Sequence, residues 1–227
     1  MNQIFFKFPS TPHLIMLGGN SVRDDKVLSQ ENRKIFLKNI LIVEEKIDGA
    51  NLGISFDTQG SLILQNRGSM LSPPYLGQWK KVGNWLTPRM EILFDHLFDR
   101  YILFGEWCFA KHSIGYNRLP DYFLGFDIFD KQNNQFLSLK PRNRKFEQMN
   151  ISSVPFIQQG IFTLPQLEAL MGRSCFGPEQ GEGIYIRYDG DKWLKQRAKI
   201  VKAKFIQNID VHWSQKAIIP NQTISRQ

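Results

Sequence analysis

Ile40-Leu41-Ile42-Val43-Glu44-Glu45-Lys46-Ile47-Asp48-Gly49-Ala50-Asn51-Leu52-Gly53-Ile54-Ser55-Phe56-Asp57 carries two strand signals back to back. An apolar run, Ile40 to Val43, leads into the charges. Beyond Gly49, Leu52, Ile54 and Phe56 alternate with Gly53, Ser55 and Asp57, the period of a strand with one buried face. Lys46 therefore falls on a short connection between two predicted strands, where the backbone fixes its direction. Gly49 suits that place, because it accepts a positive φ or a ligand close to its backbone. A lysine so held is a candidate nucleophile, but at its ordinary pKa of about 10.4 it is an ammonium and attacks nothing. Neighbouring cations, a metal ion or burial must lower that value first. Lys-x-Asp-Gly is a short string, and alone it describes a surface lysine equally well.

The chain of 227 residues suits one domain, and 42% hydrophobic with 13% aromatic residues supplies a sizeable core. It has no apolar run of membrane-spanning length and no signal-peptide pattern at its start. Cys108 and Cys175 stand far apart, which excludes a disulfide scaffold or a Cys-x-x-Cys metal knuckle and makes a reducing, cytoplasmic setting the expectation. The net charge of +8 points to a polyanionic partner held through phosphates. Basic residues concentrate at Lys140-Arg142-Arg144-Lys145 and from Lys192 to Lys204. No long basic amphipathic helix supports a membrane surface as the partner.

Taken in order, residues 7–14 are extended by two prolines, and Gly18-Gly19-Asn20 marks a turn. Asp57 to Gly60 reads as a hairpin into a strand from Ser61 to Gln65, which returns Asn66-Arg67-Gly68 to the Lys46 end. Thr87-Pro88 predicts a helix start, with Leu93, Phe94, Leu97 and Phe98 on its core face. Tyr101 to Phe104 is a buried strand ending in Gly105-Glu106-Trp107. Tyr122 to Phe129 and Gln135 to Leu139 are further strands, and Lys140 to Met149 is a helix. Thr163 with Gln166 forms a capping box. Gly183 to Arg187, the Asp189-Gly190 turn and Lys192 to Phe205 form a hairpin, and the tail after Asp210 is expected to fray. The expectation is a single α+β domain, residues 1–227, built on antiparallel strands.

The polar residues at these predicted strand ends are Lys46, Arg67, Glu106, Glu182, Lys202 and Lys204. Their context resembles the lysyl-nucleotidyl transferase superfamily of polynucleotide ligases and mRNA capping enzymes, and within it the ATP-dependent RNA ligase 2-type family. The resemblance rests on six motifs in the family's order: Glu45-Lys46-Ile47-Asp48-Gly49, Asn66-Arg67-Gly68, Phe104-Gly105-Glu106-Trp107, Phe126-Asp127-Ile128, Glu182-Gly183-Ile184 and Lys202-Ala203-Lys204. It implies an ATP-grasp-like nucleotidyltransferase domain that joins RNA ends through a lysyl-AMP.

The resemblance makes Lys46 the nucleophile toward the α-phosphorus of ATP, with Lys202 and Lys204 beside it in catalysis. It places Glu45, Ile47, Asn51, Arg67, Glu106, Phe126, Glu182, Lys202 and Lys204 against the nucleotide. Glu182 and Glu106 are the expected holders of Mg²⁺ or Mn²⁺. Independently of it, Lys-x-Lys on a strand would send both ammonium groups to one face. Phe126 has neighbours Phe123 and Phe129, so a core role for it stays open. Asn51 stands where DNA ligases and capping enzymes usually have arginine, Asp48 where some members have histidine, and Ala50 where threonine is common. With so little sequence after Lys204, no OB-fold domain is expected. The expected partner is RNA with 5′-phosphate and 3′-OH ends, held as a base-paired nick. The alternatives are a DNA ligase or capping-type guanylyltransferase on the same scaffold, or an RNA-binding module without turnover.

Overall fold

The computed structural model describes residues 5–18, 27–207 and 218–224. In chain order its elements are α1 (Gln30–Leu37), β1 (Leu41–Lys46), β2 (Ala50–Phe56), β3 (Leu62–Gln65), β4 (Met70–Leu71), α2 (Val82–Leu86), α3 (Met90–Leu97), β5 (Tyr101–Trp107), β6 (Phe123–Asp130) and β7 (Gln135–Phe136). They continue with α4 (Leu139–Gln148), β8 (Phe156–Gly160), α5 (Leu164–Ala169), β9 (Gly183–Asp189), β10 (Leu194–Val201) and α6 (Ala203–Gln207). The strands form two sheets, β4-β3-β2-β5-β6-β7 and β10-β9-β1-β8, with neighbouring strands antiparallel throughout. The architecture is the expected α+β one, and no closed barrel forms among the described residues.

Alternation explains how the sheets stack. In the six-stranded sheet Leu52, Ile54 and Phe56 share a core with Trp85, Leu93, Leu97 and Phe146 from α2, α3 and α4. Its other face is floored by Phe104, Phe129 and Phe136, with Phe8 packed on them. In the four-stranded sheet Leu41, Val43, Ile184, Ile186, Ala198 and Ile200 bury against Leu14, Phe36, Phe162 and Leu167. The opposite face is polar, in register rows Ile42–Arg187–Arg197, Glu44–Tyr185–Lys199 and Lys46–Gly183–Val201. This polar face looks at the six-stranded sheet. Arg187 and Arg197 both donate to Asp127 of β6. Arg142 of α4 donates to Glu44 Oε1 at 2.5 Å and to the Phe126 carbonyl at 2.7 Å.

Several local readings change. Lys46 is the last residue of β1, and the connection is Ile47 to Gly49. Gly49 answers a close approach by the protein itself: a Cβ there would lie 2.8 Å from the Trp107 carbonyl oxygen. The Thr87 hydroxyl donates to the Gly83 carbonyl at the end of α2, and α3 starts one turn later than Thr87-Pro88 suggests. The strand predicted at 135–139 stops at Phe136, where Leu139 starts α4. β10 stops at Val201, so Lys202 and Lys204 do not alternate on a strand; Lys204 lies in α6. The Thr163–Gln166 capping box is present at α5. Gly18 is left-handed, with φ 105°, whereas Gly19 and Asn20 of that turn lie outside the described residues. Of the tail after Asp210, residues 218–224 are packed against the domain. Among the described residues no helix is long and apolar enough to cross a membrane.

Candidate active site

A cleft of about 300 Å³ opens where the polar face of the four-stranded sheet meets the end of the six-stranded one. The four-stranded sheet contributes Glu45, Lys46, Tyr185 and Lys199; the other contributes Asn51, Glu106 and Phe126, with Arg67 from the turn after β3. Phe8, Pro9 and Thr11 form a third wall. They are held there because Leu14 N donates to the Lys199 carbonyl and Lys199 N to that of Pro12, fastening the N-terminal segment along β10.

At the end of β1, Lys46 Nζ meets Glu182 Oε2 at 2.5 Å. Gly183 is its neighbour in register, so no side chain stands beside it on that strand. Burial pulls the Lys46 ammonium down, but Glu182, Glu106 and Asp48 together outweigh it and hold the group above its ordinary value. Burial pushes Glu106 up to about 8, with Lys46 opposing and Glu182 and Asp48 adding to the rise. Glu182 is raised too, again by burial first and against the pull of Lys46. In this state Lys46 is a protonated cation among carboxylates. Its amine becomes a nucleophile only when their charge is answered from elsewhere.

Most of the expected site residues come together. Lys46, Glu45, Ile47, Asn51, Arg67, Glu106 and Phe126 line the cleft, and Glu182 adjoins it through Lys46. The Glu45 side chain turns away, accepting from Cys175 N at 2.9 Å, and Ile47 is core. Asn51 Oδ1 is buried and has no hydrogen-bond partner among the described residues, which leaves an acceptor for a ligand. Arg67 Nη2 is held by Ser10 Oγ at 3.0 Å. Phe126 meets Phe8 edge-on at 5.3 Å. Lys202 and Lys204 are not among the lining residues. Lys202 Nζ donates to Gly172 O and Gln180 Oε1, and Lys204 lies over the Phe205 ring. Burial and Lys204 keep the Lys202 ammonium below its ordinary value.

The sequence reading missed Lys199, Tyr185 and the Phe8-Pro9-Thr11 wall. Splitting β10 by parity would have found Lys199, since Arg197 and Lys199 share one face with Tyr185. Nothing in residues 8–11 alone announces a wall. Among the described residues no three His, Cys, Asp or Glu side chains form a metal cage. A pair such as Glu182 and Glu106 suits a cation that keeps most of its water.

Two antiparallel sheets packed face to face define the fold class, and solved structures share that fold. Over 91% of its length the chain superposes on a glutamate-to-alanine mutant of Naegleria gruberi RNA ligase with ATP and Mn, at TM-score 0.63 and 16% identity. An apo lysine-to-alanine mutant of that ligase gives 0.64 and 18%, and the same ligase with PPi 0.62 and 16%, each over 91% of this chain. The chain spans 59%, 58% and 58% of those three proteins. Residues 39–204 match the RNA ligase family model, and the chain belongs to the RNA ligase family. No curated protein matches it in a sequence search.

Proposed function

We propose that this domain is an ATP-dependent RNA ligase that works through a lysyl-AMP. The observation that carries the reading is Lys46, fixed at a strand end 2.5 Å from Glu182, in a cleft that also presents Glu106, Asn51, Arg67 and Phe126. Membership of the RNA ligase family, and likeness in fold to a ligase solved with ATP and Mn, support it.

Phosphoryl transfer needs positioning and charge compensation more than covalent help from the protein. Glu182 and Glu106 are the residues that would hold Mg²⁺ or Mn²⁺, and such an ion supplies positive charge against the triphosphate. With both carboxylates compensated, burial, the largest influence on Lys46, is opposed by Asp48 alone, and it favours the neutral amine. Lys46 Nζ then attacks the α-phosphorus: an N–P bond forms, the bond to the β-phosphate oxygen breaks, and pyrophosphate leaves. A 5′-phosphate oxygen next displaces Lys46 from AMP, and a 3′-OH finally displaces AMP to close the phosphodiester. Lys199 lies in the cleft as a cation for the phosphates, with Lys202 and Lys204 proposed as further phosphate contacts beyond its lining. Phe126 offers a ring face for adenine and Asn51 Oδ1 an acceptor.

RNA with 5′-phosphate and 3′-OH ends is the proposed substrate, presented as a base-paired nick because pairing supplies proximity that a small surface does not. The test is incubation with labelled ATP and Mg²⁺ followed by denaturing electrophoresis. Wild type should carry an acid-labile label that Lys46→Ala lacks. A labelled alanine variant would remove Lys46 from the mechanism. Sealing of RNA-terminated but not all-DNA nicks separates this reading from a DNA ligase.

A further inference from the structure

Residues 218–224 lie beyond the family-matched region, residues 39–204, yet their backbone hydrogen bonds lace them to one segment, residues 108–119. Asn221 N donates to the Phe109 carbonyl at 2.8 Å and Gln222 N to that of Tyr116 at 2.9 Å. In return Lys111 N donates to the Ile219 carbonyl at 2.8 Å and Leu119 N to that of Gln222 at 3.0 Å. The buried Asn221 side chain closes the lacing. Its Nδ2 donates to the Cys108 and Ala110 carbonyls at 2.9 and 3.3 Å, and its Oδ1 accepts from Tyr116 N at 2.9 Å.

The laced segment reaches the turn that follows Lys46. Ser113 N and Ile114 N donate to Asp48 Oδ2 at 2.7 and 2.9 Å, and Asp48 N donates to the Tyr116 hydroxyl at 2.8 Å. On its far side Asn117 N and Arg118 N both donate to the Phe176 carbonyl, so the segment is anchored at both ends. Asp48, two residues from Lys46, thus takes its place from a frame that Asn221 holds shut. We infer that Asn221 is a positioning residue for lysyl-AMP formation, acting through segment 108–119 and Asp48 on the direction of Lys46.

This inference rests on the RNA ligase reading. In-line attack tolerates little displacement, and a shift of about 1 Å costs roughly a hundredfold in rate. Joining a 5′ end that already bears AMP forms no bond to Lys46, so that step separates positioning of the lysine from general damage to the domain. In the full chain, Asn221→Ala should slow lysyl-AMP formation at saturating ATP by roughly tenfold to a hundredfold. Sealing of a pre-adenylylated RNA nick should stay within a small factor of wild type. Tyr116→Phe keeps the ring in the core and removes the oxygen that accepts from Asp48 N; it should give the same asymmetry, smaller, and it decides the matter should Asn221→Ala not fold. Equal losses in both steps, or none in either, would overturn the inference. A wild-type chain that forms no adduct removes the ligase reading and this inference together, whereas a labelled wild type with both variants equal to it overturns this inference alone.

Discussion

Between the sheets, Asp127, Glu44 and Asp189 meet Arg187, Arg142 and Arg197, three carboxylates against three guanidinium groups. One row further along the same sheet face, three carboxylates, Glu182, Glu106 and Asp48, act on the single ammonium of Lys46. Burial acts to lower Arg187, yet Asp127, Asp189 and Glu44 together raise it, so that cation is locked. At Lys46 three acidic groups share one cation, and burial, with Glu182 and Asp48 adding to it against the pull of Lys46, pushes Glu106 up to about 8. Balanced burial holds the two sheets together. Unbalanced burial leaves the acidic groups that the proposed metal ion would answer.

Breaking the balanced set should have the largest effect. Arg187→Met leaves Asp127 buried beside Arg197 alone, and loss of one partner from such a pair costs about 3–5 kcal/mol. Denaturant unfolding measures it, and a change below about 1 kcal/mol would mean that the sheets are held by their apolar contacts instead. Lys46→Met removes the only cation of the unbalanced set, yet its unfolding free energy should change by less than about 2 kcal/mol, because Glu182 can take up a proton in its place. A larger loss would make Lys46 a structural ion pair like the others.

The smallest effect sharpens the contrast by pH. Folded Glu106 keeps its proton up to about 8, whereas the unfolded chain releases it near 4.5. The folded state therefore holds more protons across that window, and stability falls as pH rises through it. Glu106→Gln removes the fall. The variant should gain on wild type steadily from pH 4.5 to 8, reaching about 1–3 kcal/mol. A constant difference in thermal melts across that range would show that the carboxyl does not titrate there.

The two regions were not equally legible. β1, β2, β5, β6 and β9 announce themselves by periodicity, and the motif residues Lys46, Glu106 and Glu182 sit at their ends. Arg187 and Arg197 carry no such label. In sequence Arg197 belongs to a basic run that suggests a solvated or phosphate-binding surface, and only strand parity turns it inward. α1, Gln30–Leu37, is polar apart from Ile35, Phe36 and Leu37, so it lacks an apolar stripe to declare it. Lys202-Ala203-Lys204 satisfies strand alternation, but the chain turns into α6 there, a local override that periodicity does not register. Residues 218–224 are held mostly through backbone groups, which leave no side-chain pattern to read.

The strand order has a consequence for synthesis. The six-stranded sheet is drawn entirely from β2 to β7, residues 50–136, and its hydrogen-bonded pairs join consecutive strands apart from β2 with β5, which joins Ala50 to Trp107. β1 lies between β9 and β8, so the strand carrying Lys46 waits for Phe156–Gly160 and Gly183–Asp189 to leave the ribosome. Closing loops of that length is slow relative to pairing neighbours. A nascent chain that has not reached Glu182 holds Lys46 as an ordinary solvated lysine, with a pKa of about 10.4. The proposed chemistry of Lys46 therefore has to wait for β9, and a chain that stops short of Gly183–Asp189 would lack the strand that sets Lys46 beside Glu182.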